Sequence, residues 1–370
     1  MNNLFTFEAL RICLTHFIFS SIFLGVSWDN LAQTPEYTPE IRRSYVAFKV
    51  DQKPEIDGKL DEESWENAPW SEPFVDIQGG TFPAPTYLTR MKMLWDEDHF
   101  YIGVKMEEPH LWATYEEPES VIFHENDIEV FLDMDGDTHN YYEWEINALG
   151  TLWDLMLTKP YRNGGKPING WNINGFEYEV YLSGTLNDPS DEDEYWSVEM
   201  AIPWKALSQS GPSYRPPHDG EQWRINFSRV QWQLETESGI YKKVINPDTG
   251  KPFPEDNWVW SPIGEINMHI PERWGFVEFS EKAVGESSLE ARHLPDEKVK
   301  DELRTIYSAQ KKYWAVHKKY ANEASELGLT PTLQEMFFEV SETRFKVSAA
   351  SKTEEDKRWY ITEDSRIWME

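Results

Sequence analysis

The sequence predicts an all-β protein: an antiparallel β-sandwich over residues 45–284, extended by a C-terminal helix and small strands over 285–370. Three observations carry that prediction. Apolar residues recur with a period of two from 45 to about 280, the spacing of half-buried strands. Clusters such as Gly79-Gly80, Asn163-Gly164-Gly165 and Asn187-Asp188-Pro189 punctuate the runs. Aromatic residues make up 15% of the 370 positions, with 18 Trp, which suits strands and argues against disorder.

Taken in order, the elements read as follows. Arg11 precedes an apolar run at 12–28, and the polar stretch that follows places the small residue Ala32 at a possible cut, so 1–32 reads as a secretory signal peptide. The run is shorter than the roughly 20 apolar residues of a spanning helix. A secreted or periplasmic protein, with no stable membrane insertion after cleavage, is therefore expected. Residues 33–44 read as a linker, and alternation begins at 45–50. Met91, Met93 and Trp95 face one way in the next run, and Phe100, Ile102, Val104 and Met106 answer them across an Asp96-Glu97-Asp98 turn. Ile128, Val130 and Leu132 form a further face, as do Tyr142, Trp144 and Ile146, and then Trp196, Val198, Met200 and Ile202. The runs 223–232 and 274–279 close the sandwich, while 211–217 and 246–256 are Pro-rich loops. Beyond 285 the period changes. Val299, Leu303, Ile306, Tyr307, Gln310, Trp314 and Ala321 repeat at three and four, predicting a helix from Asp296, as its cap, to Leu327, closed by Gly328. Phe338 and Val340, Phe345 and Val347, Trp359 and Ile361, and Arg366 and Trp368 return to strand alternation.

Charge excludes several partners. Lys and Arg total 35 against 66 Asp and Glu, a net charge of −31, and no basic run offsets it. Nucleic acid and anionic membranes both require basic surface, so no nucleic-acid partner is expected. Cys13 stands alone, within the segment expected to be removed, so neither a disulfide framework nor a Cys-ligated zinc is available. His99, His110, His124, His139, His218 and His269 are scattered without metal-ligand spacing.

The motif Ile56-Asp57-Gly58-Lys59-Leu60-Asp61, with Trp65 and Ala68-Pro69-Trp70 after it, resembles the opening of family 9 carbohydrate-binding modules. The run 92–103 (KMLWDEDHFYIG), the run 126–133 (NDIEVFLD), the segment 196–204 (WSVEMAIPW), the segment 224–232 (RINFSRVQW) and the stretch 258–279 are similar to the later parts of the same family. The resemblance covers about 45–280. It implies a β-sandwich that binds sugars, often with structural calcium. The same fold also serves haem-binding subunits of some oxidoreductases, so fold alone does not settle function. Here no His/Met ligand pair is visible.

A sugar site needs aromatic faces for the apolar side of a pyranose and planar polar groups for its hydroxyls. Glu143, Glu145 and Asn147 share a strand face opposite Tyr142, Trp144 and Ile146, and Trp153, Asp154, Tyr161 and Arg162 follow closely. Arg229 and Trp232 lie on a later strand, and Trp258 flanks a Pro-rich loop. Trp153 and Trp258 are the leading stacking candidates, with Trp171 and Trp232 behind them. Glu143, Asn147, Asp154, Arg162 and Arg229 are the hydrogen-bonding candidates. Core packing of each Trp, a solvated sheet face for the Glu stripe and a cross-strand pair for Arg229 remain open alternatives. Asp133, Asp135 and Asp137 around Gly136 place three carboxylates at alternate positions, a spacing that suits calcium and equally an acidic hairpin turn. A second functional class stays in view, a glycan-cleaving enzyme using a carboxylate pair such as Glu143 with Asp154 or Glu145 with Glu199.

Overall fold

The alternating runs build one long sheet that curls until its two halves face each other. The computed structural model describes residues 42–208, 215–283, 290–330, 332–333 and 335–370. The expected signal segment, Cys13, most of the linker and most of the 211–217 loop lie outside the described residues. The strands are β1 (Ser44–Lys49), β2 (Val75–Asp76), β3 (Thr89–Trp95), β4 (His99–Glu107), β5 (Asp127–Asp133), β6 (Tyr141–Asn147), β7 (Leu152–Leu157) and β8 (Pro167–Ile168). They continue with β9 (Glu177–Ser183), β10 (Tyr195–Pro203), β11 (Gln222–Gln231), β12 (Leu234–Glu237), β13 (Ile240–Lys243), β14 (Asp256–Val259) and β15 (Gly275–Ser280). The large sheet runs β8-β7-β6-β5-β11-β15-β1-β3-β4-β10-β9, with β14 added to β11 and β2 to β14, while β12 and β13 form a separate hairpin. Met91, Ile102, Val104, Val198 and Met200 from one half pack with Ile128, Val130, Trp144, Ile225 and Phe227 from the other in a single buried cluster, so the halves make a sandwich.

Two features depart from the sequence reading. Strand β1 is parallel to both its neighbours, with Tyr45 opposite Val277 and Phe48 opposite Leu94, rather than antiparallel. The long segment between β1 and β3, with the short helix α1 (Glu63–Asn67), is the crossover that a parallel pair needs. At the entry, a Cβ on Gly275 would lie 2.8 Å from the Arg43 carbonyl oxygen and 2.4 Å from the Trp260 ring, so only glycine allows β1 to start there. The second departure concerns the outer face of β5, β6 and β7. Ile263, Met268, Ile270 and Trp274 pack on Phe131, Tyr141, Leu155 and Leu157, so this half of the sheet is buried on both faces.

The C-terminal unit combines α2 (Pro295–His317) with the strands β16 (Phe337–Val340), β17 (Phe345–Ala350), β18 (Arg358–Thr362) and β19 (Ile367–Met369) around its own core of Val299, Leu303, Ile306, Phe345, Val347 and Ile361. The helix stops at His317, nearly three turns short of the expected end at Leu327. Lys318 turns left-handed at φ 55°, and Ala321 exchanges two hydrogen bonds with the Gln310 side chain, tucking the chain back. Asp296 is not the cap. Its carboxylate accepts from the Ser351 and Thr353 hydroxyls and the Trp359 indole, anchoring the helix to the small sheet. Ion pairs join this unit to the sandwich: Arg42 grips Asp301 with two 2.8 Å bonds, and Arg224 meets Glu297 at 2.7 Å. Among the described residues no helix is long and apolar enough to cross a membrane.

Candidate functional site

The period of two that turns Ile128 and Val130 inward turns Asp127 and Glu129 outward on β5. On β6 it does the same for Glu143, Glu145 and Asn147. Register sets Glu145 opposite Glu129, Asn147 opposite Asp127 and Glu143 opposite Phe131, and across β11 Ser228 stands opposite Glu129. Asp127, Glu129, Glu143 and Glu145 are all buried, so the stripe is a covered carboxylate floor and not the solvated face that alternation alone suggests. Glu145 Oε2 accepts the Phe123 N–H at 3.0 Å. Asn147 serves the fold: its Oδ1 accepts the Leu149 and Thr151 amides, and its Nδ2 donates to the Tyr115 carbonyl and to Glu125.

Burial is the main cause of the floor's unusual acidity, and mutual repulsion adds to it. The Glu129 carboxyl is pushed up to about 7, chiefly by burial and further by Glu255. Asp127, Glu143 and Glu145 are each held well above the ordinary carboxylate range by burial first and then by Glu129. Around this floor stand partly exposed rings. Trp153 is the cross-strand neighbour of Glu145. Tyr161, 46% exposed, has its hydroxyl pushed up to about 12 by partial burial and by the charges of Glu143 and Glu145. Phe123 is tied to Trp232, whose indole N–H donates to the Phe123 carbonyl at 3.0 Å, and the Lys243 ammonium sits 3.2 Å from the Trp232 ring centroid. His269 meets Tyr161 edge-on at 4.5 Å and lies 3.1 Å from the Tyr141 hydroxyl; burial pushes it down to about 4, so it is neutral at physiological pH. Hydrogen-bond acceptors at the base and apolar ring faces at the edge are the two elements that polyhydroxylated rings require.

The structure brings together Glu143, Asn147, Trp153 and Trp232 from the sequence candidates and separates the rest. Trp258 is 4% exposed and belongs to the sandwich core, so it is a packing residue and not an open stacking platform. Arg229 pairs with it across the strands at 5.2 Å and donates to Thr89, the Glu107 carbonyl, Glu108 and Gln231, a strut from β11 to β3 and β4. Trp171 stacks on Tyr142 at 4.5 Å, also in the core. Asp154 lies on the inner side of β7 opposite Trp144 and accepts the Ile173 amide. Arg162 is spent on a bidentate pair with Glu272 and on the Tyr307 hydroxyl of α2. Both carboxylate pairs considered for catalysis are broken by the same geometry. Glu143 and Asp154 lie on opposite faces of the β6–β7 ribbon. Glu199 lies on β10, in the other half of the sandwich, where it accepts from the Trp65 indole and the Asp57 and Gly58 amides.

The residues that sequence reasoning misses are Asp127, Glu129 and Phe123. The available signal was the pair of acidic residues flanking Ile128 inside an otherwise apolar run, in phase with the Glu143/Glu145 stripe.

The acidic hairpin brings Asp133, Asp135 and Asp137 together, with one oxygen from each inside 4.8 Å of the others. Five of its six carboxylate oxygens already accept a hydrogen bond. Asp133 accepts the Gly136 and Thr138 amides, Asp135 the Asp137 amide, and Asp137 the His139 amide and the Arg366 guanidinium. Desolvation of its carboxyl beside the covered Asp133 and the charge of Asp137 push Asp135 up to about 6, although the side chain is exposed at the hairpin tip. A calcium ion needs six to eight oxygens, and a hairpin that satisfies itself with amides and an arginine fits it poorly.

A curled β-sandwich with an aromatic-edged polar site on one outer face belongs to the class of ligand-binding β-sandwich domains. A family model described as carbohydrate family 9 binding domain-like matches residues 56–281, and the chain belongs to that family. Endo-1,4-beta-xylanase A of Thermoanaerobacterium saccharolyticum is 25% identical over 169 residues, covering 46% of this chain; the chain spans only 12% of that enzyme's length. A family 9 carbohydrate-binding module of Caldicellulosiruptor kristjanssonii in complex with cellotriose superposes with a TM-score of 0.43 at 15% identity, over 66% of this chain and 98% of the module. A module of the same organism in complex with glucose gives 0.42 at 16% identity, over 66% and 100%.

Proposed function

We propose that this protein binds a carbohydrate at the rim of the outer face of β5 and β6, where the partly exposed rings of Phe123, Trp153, Tyr161 and Trp232 offer apolar faces to a sugar and the covered carboxylates behind them set the local charge. The observation that carries this reading is the gathering of partly exposed rings beside Glu143 and Glu145: Trp153 is the cross-strand neighbour of Glu145, the Phe123 amide donates to Glu145, Tyr161 feels both charges, and Trp232 is tied to Phe123. Membership of the carbohydrate family 9 binding domain-like family supports it independently. Secretion, or export to the periplasm, belongs to the same reading, on the strength of the charged start and apolar run at 11–28.

The test is a panel of plant, algal and host polysaccharides followed by tryptophan fluorescence and by product analysis. A saturable change without new products supports binding. Trp153→Ala is expected to weaken the ligand so found at least tenfold, with the unfolding midpoint preserved. Unchanged affinity overturns the placement of the site. One observation favours a second reading: Glu129 with a carboxyl near 7 beside Glu143 and Glu145 is chemically able to act as a proton donor. Reducing ends or unsaturated sugars accumulating with time, and abolished by Glu129→Gln, would establish catalysis instead.

A further inference from the structure

We propose that the outer face of β3, β4 and β10 is a second binding surface, on which Arg90 and Lys105, flanked by the rings of Tyr195 and Trp70, take a carboxylate-bearing sugar chain of the polyuronate class. The register sets Arg90 directly opposite Lys105. Like charges facing each other across strands repel and cost stability. Among the described residues neither cation forms an ion pair. Arg90 Nε is buried without an acceptor, and among the described residues the guanidinium makes no hydrogen bond. Lys105 rests its ammonium 3.6 Å from the centroid of the Tyr195 ring. Lys92, two residues along the same strand face, sits 4.4 Å from the Trp70 ring centroid and donates to the Trp65 carbonyl. Trp70 and Leu88 are 39% and 40% exposed.

In a chain of net charge −31 two adjacent cations without an acid are the exception. Elsewhere the buried guanidinium groups are met, as Arg162 is by Glu272 and Arg224 by Glu297. The segment after β1 covers the next part of this face: Leu60 lies over Gly103, and the Ser197 hydroxyl donates to the Gly58 carbonyl. Arg90 and Lys105 keep part of their surface open. A flat carboxylate accepts the two terminal N–H groups of a guanidinium side by side, and a lysine adds a second charge. The apolar face of a sugar ring fits on Tyr195 or Trp70. Nearby acids limit how much negative charge this face tolerates. Glu107 stands opposite Tyr195, whose hydroxyl is raised by partial burial first and then by Tyr181, Glu194 and Asp61. One carboxylate per ring therefore matches better than a densely sulfated chain or a run of acidic peptide. The two halves of the sandwich pack through their inner faces, so this surface points away from the rim at β5 and β6. It is a different site from the one proposed above.

The experiment titrates the full chain calorimetrically with oligogalacturonate. The same oligomer as its methyl ester, a sulfated carrageenan oligosaccharide and polyglutamate are titrated beside it. Saturable binding of the free acid is expected, at least tenfold tighter than of the ester, the sulfated chain or polyglutamate. Raising the salt from about 50 to about 500 mM should weaken it severalfold. Arg90→Gln and Lys105→Gln should each weaken it at least fivefold, and Arg90→Lys, which keeps the charge and loses the fork, at least threefold. Removing one of two repelling cations should leave the melting temperature unchanged or higher. The comparison of acid with ester stands on the wild-type chain alone. No saturable binding of the free acid at millimolar concentration overturns the proposal, as does equal binding of the ester. Tighter binding of the sulfated chain or of polyglutamate overturns it too. So does binding that is lost in Trp153→Ala and kept in Arg90→Gln, which would move the chain to the rim.

Discussion

At the junction between the sandwich and α2, Glu272, Glu297 and Asp301 are met by Arg42, Arg162, Arg224 and Arg304, whereas on the outer face of β5 and β6 four carboxylates are buried with no basic partner among the described residues. Both regions remove acids from water and differ in what replaces the water. Burial alone would raise the Glu297 carboxyl, yet Lys300, Arg224 and Arg304 together hold it well below the usual range. Burial raises Glu129 to about 7, and its acidic neighbour Glu255 pushes in the same direction. A junction that must stay shut is built with compensated charge. A floor left uncompensated is costly to the fold, and that cost is the physical reason to look for a ligand there.

The largest effect should come from breaking the compensated side. Glu297→Ala leaves Arg224 and Arg304 buried without their shared partner and should cost about 3–5 kcal/mol in urea unfolding. A loss below about 1 kcal/mol would mean the junction is no charge-paired lock. On the uncompensated side the sign should reverse: at pH 8, Glu129→Gln should stabilise the protein by about 1–3 kcal/mol, since the rise from 4.5 to about 7 is worth at most roughly 3 kcal/mol. Destabilisation would show that the bond from the Ser228 hydroxyl outweighs the cost of burial and the repulsion by Glu255.

The pH dependence sharpens the same contrast. Floor carboxyls have folded values above their unfolded ones, so their contribution is full below about 4.5 and is lost as pH rises through about 7 for Glu129. Glu272 and Glu297 are shifted downward, so theirs is present above about 4.5 and is lost as pH falls. The protein should therefore melt highest near pH 5–6, with Glu129→Gln flattening the alkaline limb and Glu297→Gln the acid limb. A monotonic profile would contradict the pairing of the two regions. The smallest effect belongs to Asp135→Asn, whose residue is exposed at the tip of the hairpin; it should move stability by no more than about 1 kcal/mol.

The fold was legible because period-two alternation reports one buried face, and Ile128, Val130, Trp144 and Val198 all lie where it puts them. Alternation says nothing about what covers the other face. That is why Glu143 and Glu145 read as solvated until 263–274 is seen lying over their side of the sheet. The same limit applies to Trp258, which has loop neighbours in sequence yet packs in the core beside Arg229. Helix length was overestimated because Tyr320 and Ala321 are buried in phase with the helix although the chain has already turned at Lys318. Family motifs located the sheet; they did not locate the floor, because Asp127 and Glu129 sit within a motif that also builds the core.

The parallel seating of β1 between β15 and β3 has a consequence for assembly. Its longer pairing is with the last sandwich strand, five residue pairs from Ser44 to Phe48, against two with β3. The first strand made must therefore wait for the last before its main ladder can form, so the ordering of nearly the whole domain precedes closure. Contacts so distant in sequence slow folding. A chain ending before residue 275 should stay open along that seam.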